Sequence, residues 1–413
     1  MHICIFQTGE PLHIDSGKYR PMRAMLLANE LIKKNHKVTL ISSSFFHQRK
    51  IFRSKSIKSI KISKNLEIIL IHSCGYEKHI GIKRIIDHII LSLNLYNFLR
   101  KSKNFIPDKI FLGYPPIETS LSILIWAKKR NIPIMIDIKD NWPENFIEPF
   151  PKIIKPFIKL ILFPYFAISK YIFRNIKVIN SISEEFIKWI KTFSKNTNAK
   201  YIVSPLVRKP LRTNKFELAK SEQFWIKKNI DIYEGKHFAF VGSITKSFDF
   251  NFIFRSAEYL INFFPEYKFI ICGTGDQLNK LIFQSQKFKN VFVVGEVNKY
   301  HAKLLIKNSI ASIAPYKKSI NFQNSVPNKV IESLEYGVPF ITNLDGKLSK
   351  IIDSYKNGIY IEPKNEKDLS KYLDIIKDKN LRKKLSINAK KSHSKLYNFH
   401  NIYDKLINEI LDM

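Results

Sequence analysis

Residues 2–43 read HICIFQTGEPLHIDSGKYRPMRAMLLANELIKKNHKVTLISS, and this stretch decides the fold. HICIF is a short apolar run of strand type, followed by a polar loop. PMRAMLLANELIKKN then repeats apolar residues at helical spacing, until Asn35 and His36 end it. KVTLISS is a second strand. A strand, a helix and a strand in succession form a βαβ unit, whose strands lie parallel under a crossover helix.

Working outward, the same alternation continues. LEIILIHS (66–73) is a strand, and 82–99 is a long helical stretch. DKIFLGYPP (108–116) is a strand ending in a Gly/Pro loop, SLSILIWAKKRN (120–131) is helical, and IPIMIDIKD (132–140) is again a strand. KVINSISEEFIKWI (177–190) runs from strand to helix. The segment 200–236 is polar and irregular, with Pro205 and Pro210, and a linker is expected near Leu206. The pattern then begins anew. HFAFVGS (237–243), YKFIICGTGD (267–276), NVFVVGEV (290–297), IASIAPY (310–316), VPFITN (338–343) and GIYIEP (358–363) are strands between helical segments. The expectation is an α/β chain with two Rossmann-like domains, 1–205 and 206–396.

Composition narrows the function classes. The chain has 413 residues, is 45% hydrophobic and 25% charged, and carries a formal net charge of +34, which is a globular composition. Such charge suits an anionic membrane surface or nucleic acid, but it also fits a biased use of Lys, Ile and Asn on solvated faces. No arginine-rich arm or zinc-ligand spacing points to nucleic acid, and none is expected as a partner. Cys4 and Cys272 sit inside apolar strands, and with Cys74 they make an odd, scattered set of three, so free thiols in a reducing compartment are expected. Met1 leads straight into a strand without a basic leader, and a cytoplasmic location is expected, peripheral on the inner face of the cell membrane. The most apolar stretch, 153–173, is interrupted by Lys155, Pro156, Lys159, Pro164 and Lys170, which disfavours a span. Its lysines and apolar side favour lying in an anionic interface or, equally, packing between domains.

Four segments are able to carry chemistry. The loop after the first strand holds Gly17 and leads to Arg20 and Arg23 at a helix start, where anions are favoured; it is a solvated loop or the lining of a cleft. It lacks GxGxxG. In DIKDNWPENFIEP (137–149), Asp137, Asp140 and Glu144 lie close together at a strand's carboxyl end with Trp142 beside them, and Asp140 is placed to accept a proton from a hydroxyl or to cap a helix. Gly273 and Gly275 make a strand-to-helix turn. In NSVPNKVIESLEYGVPFIT (324–342), Pro327 suits a first helical turn, and the turn's free N–H groups suit a diphosphate. Val330, Ile331 and Leu334 share one helix face; Glu332 lies opposite, either an ordinary surface glutamate or an acceptor for ribose hydroxyls.

KVIESLEYGVPFI resembles the donor-site signature of retaining GT-B glycosyltransferases of family four. The first βαβ unit, FVGS, ICGTG and VFVVGEV follow that family's order. DIKDNWPE is similar to a DxWPE-type segment of members that build O-antigen and capsule sugars, fucosamine transferases included. The resemblance implies a GT-B architecture with parallel sheets facing across a cleft, and a last helix, 397–413, that crosses back to pack on the first domain. It implies transfer, with retention, of a sugar from a UDP- or GDP-linked donor to a glycan or polyprenyl-linked acceptor. No separate cofactor and no metal ion is implied. By position, Glu332 holds the ribose, and Gly242 and Ser243 match the loop near the diphosphate. Gly273, Gly275, Ser325 and Asn328 complete the donor-side candidates, and Gly17, Arg20, Arg23, Asp137 and Trp142 the acceptor-side ones. Two positions depart. Asn324 stands where the first carboxylate of Glu-x7-Glu falls, and Ser243 stands where an Arg is usual, leaving Lys246 or Lys329 to supply the charge. Asn324 keeps two alternatives open, a nucleotide-sugar epimerase and an inactive scaffold binding a membrane or a partner.

Overall fold

The computed structural model describes residues 1–16, 20–77, 81–148, 150–363 and 365–413. The chain divides into two compact units. Unit 1 is Met1–Lys209 with Phe399–Met413, and unit 2 is Pro210–Asn398, so the break falls at Lys209/Pro210 rather than after residue 205.

Unit 1 runs β1 (His2–Phe6), α1 (Arg23–Lys33), β2 (Lys37–Ser43), β3 (Phe45–Phe46), β4 (Ile51–Phe52), β5 (Lys58–Ser63), β6 (Leu66–Ile71), α2 (Ile82–Lys101), β7 (Lys109–Tyr114), α3 (Ile117–Lys128), β8 (Ile134–Ile138), α4 (Glu144–Ile147), α5 (Lys155–Ile161), α6 (Phe163–Asn175), β9 (Val178–Ser181), α7 (Glu184–Ser194) and β10 (Lys200–Val203). Its sheet has the order β10-β9-β8-β7-β1-β2-β6-β5. Every pair is parallel except β5 with β6. The apolar strands expected from the sequence fill the middle. The edge strand β5, KSIKIS, has no buried residue, so no hydrophobic run announces it.

Unit 2 runs α8 (Lys215–Lys227), β11 (His237–Val241), α9 (Phe250–Ile261), β12 (Lys268–Cys272), α10 (Leu278–Ser285), β13 (Val291–Gly295), α11 (Lys299–Lys307), β14 (Ala311–Ala314), α12 (Ile320–Asn324), α13 (Asn328–Glu335), β15 (Phe340–Thr342), α14 (Lys347–Tyr355), β16 (Gly358–Tyr360), α15 (Glu366–Lys377) and α16 (Lys379–Leu396). Its sheet is wholly parallel, in the order β13-β12-β11-β14-β15-β16. The last helix, α17 (Phe399–Leu411), belongs to unit 1, where it packs on α1 and β7.

In both units the first strand lies inside the sheet. The chain adds strands to one side of it and then crosses to the other. This makes a switch point between β1 and β7 in unit 1, and between β11 and β14 in unit 2. Loops diverge there at the carboxyl ends of the strands and leave room for a ligand. Cys4 and Cys272 are buried free thiols on β1 and β12, and burial raises both to about 12.

Candidate functional site

The switch point of unit 2 is built from three loops. Gly242 follows β11, and its N–H donates to the Cys272 carbonyl at 3.0 Å. A Cβ on Gly242 would stand 2.8 Å from Lys329 Nζ, so a side chain there would push that ammonium from its place. Gly273 and Gly275 follow β12. A Cβ at either would fall 1.8 Å and 2.1 Å from the carbonyl oxygens of Gly242 and Ile244, respectively. These glycines let two backbone loops touch, which explains their place in the sequence without a ligand. Ser243 and Lys246 lie exposed on the β11–α9 loop.

The third loop leads into α13. Asn324 ends α12, and Ser325 donates its hydroxyl to the Asn321 carbonyl at 2.7 Å. Pro327 is the N-cap, one residue earlier than expected, with Asn328 as the first helical residue. No side chain caps this end. An uncapped first turn presents N–H groups and the positive end of the helix dipole.

Lys329 projects from that turn into the core. Its stem is partly exposed, but its ammonium nitrogen is buried and has no hydrogen-bond partner. The nitrogen lies 3.7 Å from the Phe240 ring centre, 3.9 Å from that of Phe248 and 5.3 Å from that of Tyr316. Aromatic faces attract a cation but do not replace its water. Burial therefore holds the amine well below its ordinary range, and the charge of Glu332 opposes that only in part. Glu332 is 6% exposed, against the surface glutamate that helical periodicity allowed. Val330, Ile331 and Leu334 are buried as expected, so α13 is enclosed on both faces.

The switch point of unit 1 opens as a cavity of about 210 Å³. Its walls come from the loops after β1, β7 and β8 and from α2, with Glu10, Arg84, Asp87, His88, Lys139 and Asp140 among the lining residues. Lys139 donates to Gln7 Oε1 at 2.9 Å and pairs with Glu10. Burial and the neighbouring charges of Arg84 and His47 lower His88 to about 3, so its imidazole is neutral at physiological pH. Burial raises Asp87, whose carboxylate accepts the Gly75 N–H. A wall of mixed donors and acceptors around apolar rings suits a polyhydroxylated ligand.

Several acceptor-side candidates do other work than expected. Arg23 and Asp137 form an ion pair of 2.8 Å, with side chains 2% and 0% exposed. Arg23 also donates to the carbonyls of Ser204 and Pro205, and Asn180 donates to Asp137. The pair ties α1, β8, β9 and the end of β10 together, and neither residue lines the cavity. The anion at the start of α1 is the chain's own Glu10, whose carboxylate accepts the Ala24 N–H at 2.9 Å. Trp142 is buried behind the cavity, with its ring under the Arg84 guanidinium at 4.9 Å. Arg20 is exposed, Asp140 lies on the cavity wall, and Gly17 falls outside the described residues.

Sequence reasoning missed Glu10, Arg84, Asp87, His88 and Lys139. A signal existed for three of them. Arg84, Asp87 and His88 are spaced i, i+3, i+4 in an otherwise apolar stretch, which puts three polar side chains on one inward face. The aromatic surround of Lys329 had none, because its rings come from three separate segments.

Comparison with known proteins agrees with this architecture. Residues 222–392, all in unit 2, match the family described as glycosyl transferases group 1. An uncharacterised glycosyltransferase of Methanocaldococcus jannaschii is 27% identical over 183 residues, which is 42% of this chain. The match spans less than half of that relative, 44% of its length. Sucrose-phosphate synthase from Thermosynechococcus elongatus superposes with a TM-score of 0.70 at 13% identity, covering 98% of this chain and 97% of that one. HepE from Anabaena, solved in complex with UDP and glucose, superposes with a TM-score of 0.64 at 10% identity, covering 100% of both chains. At such identities the likeness is one of fold, and the fold is GT-B.

Proposed function

We propose that this chain is a nucleotide-sugar-dependent glycosyltransferase whose donor diphosphate is held in unit 2, at the uncapped start of α13. The observation that carries this reading is the buried, unpartnered ammonium of Lys329 at a switch point beside Gly242. A buried amine with no hydrogen-bond partner, countered only in part by the charge of Glu332, is a cost that folding alone does not explain. A diphosphate would supply the missing charge, and the first-turn N–H groups would bind its oxygens. Glu332, on the same helix, would accept the ribose hydroxyls.

In the transfer step the bond from the sugar's anomeric carbon to the diphosphate breaks, and a bond to the acceptor oxygen forms. The acceptor hydroxyl loses its proton, and the nucleoside diphosphate leaves. Lys329 and the α13 amides stabilise the charge growing on the leaving oxygen. Asp140, on the wall of the unit 1 cavity, is assigned as the proton acceptor, and the neighbouring donors and acceptors as the acceptor subsite. The match of unit 2 to the group 1 glycosyltransferases supports a sugar transfer, and the UDP in HepE favours a UDP-linked donor. Retention and a role in surface polysaccharide rest on the resemblance of KVIESLEYGVPFI and DIKDNWPE.

Calorimetric titration with UDP and GDP, followed by turnover with a panel of UDP-, GDP- and ADP-sugars, tests the reading. One nucleoside diphosphate should bind in the micromolar range or tighter. Glu332→Ala should lower kcat/KM about 100-fold, the size of a lost hydrogen-bond pair to a charged group. An intact fold that binds none of these nucleotides would leave only the inactive scaffold.

A further inference from the structure

Unit 1 presents an apolar surface that its own core does not use. Ile153, Phe157, Leu160, Ile161 and Phe163 are each between 59% and 92% exposed. Helix α5 has no buried residue at all. At 100° per residue, Phe157, Leu160 and Ile161 share one face of α5, while Lys155 and Lys159 lie on the other. Next to α5, α6 turns away by 66°. Its far end is fixed in the core by Ile172 and Phe173. Neither helix alone is long and apolar enough to cross a membrane; by length and composition the two pass only together, as a pair broken by that bend.

A second stripe lies in the same helical layer. On α2, Ile82, Ile86, Ile89 and Leu93 are between 42% and 76% exposed. Their spacing, i, i+4, i+7, i+11, puts them on one line along the helix. Helix α2 packs on α3, and α3 packs on α6. Charge says what covers this surface. Helices α5 and α6 contain no acidic residue, and the single one on α2, Asp87, is buried. Lys83, Lys152 and Lys159 are exposed around the stripes. A second copy would bring the same positive charges to the contact, whereas an anionic surface complements them.

We propose that the α2–α5 face of unit 1 seats this protein on a bilayer of anionic lipid. Helix α5 lies in the plane of the headgroups with Phe157, Leu160 and Ile161 in hydrocarbon. The lysines reach back to the headgroups, as long basic side chains do at an interface.

Vesicle flotation of the full chain tests this, with phosphatidylcholine alone and with phosphatidylcholine mixed with phosphatidylglycerol. The protein should float with the mixed vesicles, remain below the neutral ones, and be released as salt rises. Phe157→Ser combined with Leu160→Ser should lower the bound fraction about tenfold or more, since two large side chains leave hydrocarbon. Its thermal unfolding should match the parent, because no α5 residue is buried. Ile86→Ser with Leu93→Ser should weaken binding independently. Failure to float with anionic vesicles at low salt overturns the proposal, as does parental binding by both double variants. Sedimentation showing a dimer that Phe157→Ser/Leu160→Ser dissociates would overturn it in favour of a second copy. None of these outcomes depends on nucleotide binding.

Discussion

Asp137→Ala should destabilise unit 1 by about 3–5 kcal/mol, because it leaves the Arg23 guanidinium buried without a counter-charge. The pair is sealed from water. Arg23 would keep its two carbonyl acceptors at Ser204 and Pro205, but carbonyl dipoles do not neutralise a charge. Asn180 Nδ2 and Lys139 would also lose a partner. For a unit of this size the apparent Tm falls on the order of 10 °C. Asp137→Asn is the milder test. It keeps an acceptor for Arg23 and removes the charge, so it should fall between parent and alanine variant. Removing both charges, as Arg23→Met with Asp137→Leu, should recover much of the loss, since buried pairs contribute little beyond an apolar replacement. If Asp137→Ala instead unfolds like the parent and loses only turnover, the cleft role first read from the sequence is the right one. Differential scanning fluorimetry and urea titration distinguish the two outcomes.

How far the sequence spoke for itself differs from one element to the next. The continuous apolar runs of β1 and β2 and the period-3.6 run of α1 were legible because burial is decided there by neighbours within the same βαβ unit. The helix α8 was missed inside a stretch read as irregular. Its capping box, Asn214 with Glu217, was a local start signal in plain view. The strand β5 left no signal, since an exposed antiparallel edge needs no apolar alternation. Charged residues were the hardest to place. Arg23 looks like an anion-binding residue at a helix start until Asp137, distant in sequence, is brought beside it. Lys329 looks like a surface lysine on an amphipathic helix until Phe240, Phe248 and Tyr316 surround its nitrogen. In each case the sequence showed a charge and its helix, while the dielectric around that charge was set by other strands. That is why the donor-side motif was readable as a pattern and the state of its lysine was not.

Lys329→Met should lower kcat about 100- to 1,000-fold while leaving the fold intact or more stable, and pH supplies the deciding readout. Methionine fills the space between Phe240 and Phe248 without the cost of a buried ammonium, and sulfur packs well on aromatic rings. The amine is held well below its usual range in the folded protein, while the unfolded chain titrates normally. Between those two values the unfolded state binds one more proton than the folded state. Stability therefore rises with pH across that window, and Lys329→Met should abolish this slope. A bound diphosphate reverses the balance, because its charge favours the protonated amine. Nucleotide binding should then take up close to one proton above the folded pKa of the free protein, and affinity should fall as pH rises through that range. Calorimetric titration of UDP in buffers of different ionisation enthalpy measures the uptake directly. A signal independent of the buffer, in a protein that binds the nucleotide, would place Lys329 outside the contact and leave the charge to Lys246. A Lys329→Arg variant sharpens the comparison. Arginine cannot shed its proton, and its larger head would crowd Gly242, where even an added Cβ would lie 2.8 Å from the ammonium. It should therefore destabilise unit 2, where methionine does not.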